Sequence, residues 1–106
     1  MFSEQRTSER KLLRTRARVA MEGAAMVSGR TSDLGANGVC IHFPDPLPVG
    51  QTGQVSFELL IDGKQVAISA RARALYCIFS NGEFKVGFQF LNLELAAMTA
   101  VARYLR

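Results

Sequence analysis

Two clusters in this chain have the residue types and spacing to hold an anionic, base-bearing ligand. In Arg10-Lys11-Leu12-Leu13-Arg14 two arginines stand four apart. A guanidinium makes two parallel hydrogen bonds to phosphate oxygens or to guanine O6 and N7, and its flat face stacks on a base. Arg6 and Arg10 repeat the spacing, so two registers are open. Arg10/Arg14 is preferred because Arg14 lies just before the first expected strand, from where the arm can fold back over the domain. The second cluster is Asp33-Leu34-Gly35-Ala36-Asn37-Gly38. A carboxylate there can accept from a guanine N1–H and amino group, and the glycines permit positive φ and close approach of a ligand to the backbone. Each cluster also has a plainer reading: a solvated basic tail, and a turn in which Asp33 bonds its own backbone.

The charge distribution favours an anion-binding role for the arm. The net charge is +4. Residues 1–18 carry Arg6, Arg10, Lys11, Arg14, Arg16 and Arg18 against Glu4 and Glu9, and the rest of the chain holds seven basic and seven acidic groups. All the basic excess therefore sits in one short segment, whose field attracts phosphate. That segment has no apolar h-region, which argues against a secretory signal and makes the cytoplasm the expected location.

Little in the sequence suits catalysis. Cys40 and Cys77 read as buried thiols acting as small hydrophobes. Cys40 and His42 provide two metal-type ligands where a zinc site wants four, and as a nucleophile–base pair they lack a third group. There is no P-loop and no paired acid/base constellation. The expectation is a protein that is not an enzyme and has no catalytic residues, metal or cofactor.

The elements that must position these residues are short strands. The chain has 106 residues, 48% of them hydrophobic, which suits one small domain. Val55, Phe57, Leu59 and Ile61 alternate with mostly polar neighbours, giving one buried face. Asp62-Gly63 then marks a hairpin, because a type I′ turn needs positive φ at both positions. Ile68, Ala70, Ala72 and Ala74 alternate along the next strand, about Gln65 to Phe79. Asn81-Gly82 marks a second hairpin, and Phe84, Val86, Phe88 and Phe90 alternate in the last strand. Earlier, Arg18–Met21 and Ala24–Gly29 read as a hairpin around Glu22-Gly23, a strand ends near Ser32, and Gly38–Phe43 is a short apolar strand closed by prolines. Leu93–Leu105 switches to a helical period, with Asn92 as cap and Leu95, Met98, Ala102 and Leu105 on one stripe beside Val101. The expected architecture is all-β: a small six-stranded antiparallel barrel with one C-terminal helix. A flexible basic arm covers residues 1–14 and the barrel with its helix covers 15–106.

Together the two clusters resemble the PilZ domain family, whose pattern is R-x-x-x-R in an N-terminal arm followed by D/N-x-S-x-x-G. Arg10 and Arg14 match the first motif, and Asp33 and Gly38 match the ends of the second. The lead-in Glu9-Arg10-Lys11 and the segment Phe84-Lys85-Val86-Gly87-Phe88-Gln89-Phe90 before the helix also look like the family. The resemblance covers roughly residues 9–105. It implies a receptor for cyclic di-GMP, in which Arg10 and Arg14 bind phosphate and stack on guanine, Asp33 reads a guanine edge, and Gly38 allows the close turn. Gly35 departs from the pattern, standing where the family has serine. The hydroxyl so removed is typically worth about 0.5–1.5 kcal/mol. Arg16, Arg71 and Arg73 are further candidates for the ligand surface.

The resemblance implies a sensor whose arm changes conformation on binding and signals to an unidentified protein partner in motility, biofilm or virulence control. Gly35 keeps open a degenerate adaptor that works by protein contacts without nucleotide. A nucleic-acid polymer is not the expected partner, since the phenylalanines fall mostly on the inward alternation rather than on an exposed stacking face. No apolar run approaches the roughly 18 residues of a membrane span, so membrane insertion is not expected.

Overall fold

The structure, a computed structural model, describes residues 10–106. Arg6 and Glu9 lie outside the described residues. Seven strands and one helix follow in order: β1 (Arg10–Leu12), β2 (Arg16–Met21), β3 (Val27–Gly35), β4 (Gly38–Phe43), β5 (Thr52–Ile61), β6 (Lys64–Ser80), β7 (Glu83–Asn92) and α1 (Leu95–Leu105).

All pairings are antiparallel, in the order β1-β3-β2-β5-β6-β7-β4, and β3 also pairs with β4. The last pairing closes β3-β2-β5-β6-β7-β4 into a six-stranded barrel, which removes the exposed edges an open sheet would have. The expected six-stranded barrel with a C-terminal helix is the observed fold. The short strand β1 sits outside the ring and, among the described residues, pairs only with the end of β3, Arg10 opposite Gly35 and Leu12 opposite Asp33.

Both hairpins form as the sequence predicts. Asp62 and Gly63 have φ of 52° and 80°, and Asn81 and Gly82 have 53° and 82°. Period-two alternation fills the barrel: Val55, Phe57 and Leu59 of β5, Ile68, Ala70, Ala72 and Ala74 of β6, and Val86 and Phe88 of β7 are all buried. The alanines of β6 join phenylalanines from neighbouring strands in one cluster. Among these, Phe43 and Phe88 meet edge to face at 6.3 Å, a favoured aromatic geometry.

The C-terminal helix differs from its expected form in two ways. Asn92 ends β7, and the helix is preceded instead by Glu94, which makes no side-chain capping bond. Its buried face is Ala100 and Val101, flanked by partly buried Ala97, Tyr104 and Leu105, while Leu95 and Met98 are exposed. Two small alanines on the docked face let the helix approach the barrel closely, which a Leu95/Met98 stripe would not.

Candidate functional site: the Arg10–Asp33 face and its groove

A β-bulge sets the position of Asp33. The pairing of β3 with β4 runs Thr31 to Ile41 and then Asp33 to Cys40, leaving Ser32 as the extra residue. Thr31 and Leu34 both point into the core and are buried. Without the extra residue Asp33 would share the inward face of Thr31; the bulge turns it outward instead. Asp33 therefore lies within β3, not in a loop after it as the sequence suggested. The turn itself is Ala36-Asn37, between the paired residues Gly35 and Gly38.

Neither Gly35 nor Gly38 has positive φ, contrary to the expectation for that turn. Gly38 is needed for another reason. A Cβ there would lie 2.1 Å from the carbonyl oxygen of Phe88, so only glycine lets β4 lie this close to β7. Gly35 is buried and is the register partner of Arg10.

The Arg10 guanidinium bonds Asp33, with Nε and Nη2 both 2.6 Å from Oδ1. Ser32 Oγ lies 3.4 Å from the second carboxylate oxygen. Arg10, Asp33, Gly35 and Gly38 are thus brought together at one corner of the barrel. The strand that carries Arg10 is also held by α1. Lys11 Nζ donates to the Tyr104 carbonyl at 2.9 Å and stands 4.7 Å over the Tyr104 ring, and the Tyr104 hydroxyl donates to the Leu12 carbonyl at 2.7 Å.

Arg14 is held differently. It is exposed, on the link between β1 and β2, with Leu13 buried before it. Thr31, a buried polar residue at the core's edge, fixes that link. Its hydroxyl donates to the Leu13 carbonyl at 2.5 Å and accepts from the Thr15 N–H at 2.9 Å, while the Thr31 N–H bonds the Thr15 carbonyl. Arg14 therefore projects from a pinned backbone. It lines an open groove of ≈ 1050 Å³ with Arg16, Arg30, Ser32, His42 and Glu83, which Arg10 and Asp33 do not line. Arg71 and Arg73, the other candidates for a ligand surface, are engaged elsewhere, with Glu22 and Thr52 and with the Gly50 carbonyl.

Tyr76 escaped the sequence reading. Its ring lies where a Cβ on Gly87 would be, 2.2 Å from that position, and its hydroxyl is 3.9 Å from Cys40 Sγ. Burial first, then the Cys40 thiol and the nearby Asp33 carboxylate, raise its pKa above the usual phenol value. A bulge after Ala74 places it opposite Gly87 and within reach of Cys40, and no period in the sequence announces that bulge. Cys40 is buried and Cys77 partly buried, both as free thiols. His42 bonds Glu83 at 3.1 Å rather than Cys40. Among the described residues no group of three or more His, Cys, Asp or Glu side chains could hold a metal, and no helix is long and apolar enough to cross a membrane.

The PilZ domain family model matches residues 4–106. The chain belongs to the PilZ domain family. No curated protein matches the sequence. The fold of this PilZ domain is similar to that of the inhibitor of motility MotI/DgrA from Bacillus subtilis, with a TM-score of 0.86 at 13% identity over 97% of this chain. The domain spans 50% of that protein. It is also similar to the PilZ domain, with c-di-GMP, of YcgR from Escherichia coli, with a TM-score of 0.70 at 13% identity over 94% of this chain and 88% of that one. A third relative in fold is the PilZ domain of CeSA from a cellulose-synthesizing bacterium, at 0.58 and 23% identity over 92% and 94% of the two chains.

Proposed function

We propose that this PilZ domain is a cytoplasmic, non-enzymatic receptor for cyclic di-GMP that relays the ligand's presence to a partner protein. The observation that carries the reading is the pairing of Arg10 with Asp33 on one outer corner of the barrel, with an exposed Arg14 on a pinned link two residues past β1. Cyclic di-GMP bears two phosphates and two guanines. It needs cations with flat faces and a carboxylate that accepts from a guanine edge, and Arg10, Arg14 and Asp33 supply both. The YcgR relative, described with c-di-GMP, has the same fold.

Binding would exchange one partner for another. Asp33 accepts from guanine in place of Arg10, and Arg10 turns to phosphate or to a base face. Because β1 is tied to α1 through Lys11 and Tyr104, moving Arg10 changes how β1 sits on the helix. The ligand's unequal contacts with the two arrangements supply the free energy that any switch requires. The likeness to an inhibitor of motility supports motility as the process, with biofilm and virulence control as the family's other outputs.

Titration with cyclic di-GMP, with GTP as control, tests the reading. Selective, saturable binding in the micromolar range or tighter is expected. A second reading rests on Gly35, which offers no hydroxyl to a ligand. On that reading the domain is an adaptor acting by protein contacts alone, and it predicts no binding at high micromolar nucleotide.

A further inference from the structure

A row of basic side chains crosses the outer face of the barrel outside the two motifs. Arg16 of β2 is the register partner of Arg30 on β3, Arg30 of His42 on β4, and His42 of Lys85 on β7. Like charges directly opposite one another destabilise a sheet. Nothing offsets them at Arg16 and Arg30: among the described residues neither has a carboxylate within ion-pair distance. Both are exposed and line the groove that Arg14 also lines. Among the described residues the one carboxylate along that groove, Glu83, is held by His42 at the far end.

Beneath the groove β3 packs closely on β4: a Cβ on Gly29 would stand 2.5 Å from the His42 carbonyl and 2.8 Å from the Phe43 ring, so only glycine fits there. The bulge at Ser32 places Arg30 on the same outward face as Asp33, although they are three residues apart. Their partners on β4 are His42 and Cys40, two residues apart, so the two rows are separated by about 7 Å along the strand. Adjacent strands bring Arg16 and Arg30 to about 5 Å of one another at the backbone, and two guanidinium forks at that spacing can close on one phosphate.

We infer that Arg16 and Arg30 form a phosphate-binding subsite, with His42 beside it, next to the Arg10–Asp33 corner and joined to it through Arg14. The chemistry recognised is a phosphate or phosphodiester group. It has two sources: the second phosphate of a nucleotide already engaged at Asp33, or a phosphate of a second nucleotide molecule. The subsite itself stands on this geometry; only the choice of source rests on the receptor reading above.

The test uses the full chain with two probes, inorganic pyrophosphate and cyclic di-GMP. Pyrophosphate is expected to shift the Nε–Hε resonances of Arg16 and Arg30 saturably. The Arg16→Ala/Arg30→Ala double variant should bind it at least about ten-fold more weakly. The same variant should unfold at an equal or higher temperature, since it removes a like-charge pair. Arg30→Lys keeps the charge without the fork and should fall between the two. With cyclic di-GMP, a fall from two bound ligands to one in the double variant assigns the subsite to a second molecule. One bound ligand throughout, with weaker affinity in the variant, assigns it to the second phosphate of the first. Pyrophosphate binding at Arg16 and Arg30 in a chain that ignores cyclic di-GMP upholds the subsite and rejects the receptor reading. Unshifted resonances, with equal pyrophosphate affinity in wild type and double variant, overturn the subsite whatever cyclic di-GMP does.

Discussion

The guanidinium of Arg10 and the carboxylate of Asp33, 23 residues apart in the chain, meet at 2.6 Å. The pair is partly exposed, 46% at the arginine side chain and 29% at the aspartate. Such pairs contribute only about 0–1 kcal/mol. A ligand that engages either group would therefore displace the other at low cost, and on the receptor reading the same two groups hold either each other or a nucleotide. Asp33→Ala is expected to lower stability by less than about 1 kcal/mol while weakening cyclic di-GMP binding by about ten-fold or more. Urea unfolding beside calorimetric titration checks both halves.

Thr31 supports Arg14 from beneath. Thr31→Val keeps the shape but removes the hydroxyl that joins the Leu13 carbonyl to the Thr15 N–H. Two backbone groups then lose a partner, and unfolding should become about 1–3 kcal/mol easier. Ligand affinity should fall as well, because the link carrying Arg14 is no longer fixed. A variant with wild-type stability and affinity would show that the link is held by other means.

Gly35→Ser restores the hydroxyl that the family pattern places there. If the receptor reading holds, cyclic di-GMP binding should tighten by about two- to ten-fold, the equivalent of one hydrogen bond. The glycine's φ is not positive, so no backbone strain opposes the substitution. Parallel titrations of the two proteins at one salt concentration measure the change.

Tyr76 gives the fold a dependence on alkaline pH. Burial, Cys40 and Asp33 raise its pKa in the folded protein above 10.0. Between the two values the unfolded chain has already lost the proton that the folded one keeps, so stability falls as pH rises through that window. Below pH 10 the contribution is fully present. Tyrosinate absorbance of the wild type against Tyr76→Phe should show the phenol that ionises at higher pH disappear, and the variant's unfolding midpoint should depend less steeply on pH above 10.

The barrel was legible because its signals are local. Asp62-Gly63 and Asn81-Gly82 impose their turns on any sequence around them, and the alternations in β5, β6 and β7 need only neighbouring residues. The motif residues were legible by type and spacing. What the sequence hid depends on distant partners. A three-residue strand such as β1 has no period, and it exists because Lys11, Leu12 and Tyr104 find each other across some ninety residues. The bulge at Ser32 is fixed by the partner strand, so Asp33 reads as loop although it lies in β3. In α1 nearly every residue is apolar or small, so the pattern offers two stripes. The barrel chooses the one with alanines because it needs close approach.

The central claim is that Arg10, Arg14 and Asp33 form one cyclic di-GMP site, and Arg14 tests it most directly. It makes no ion pair among the described residues, so its removal leaves the fold's own contacts in place. Isothermal titration of wild type and Arg14→Ala with cyclic di-GMP is the measurement. The account predicts selective binding by the wild type and a loss of about ten-fold or more in the variant, with unchanged thermal stability. Full affinity in Arg14→Ala would contradict it.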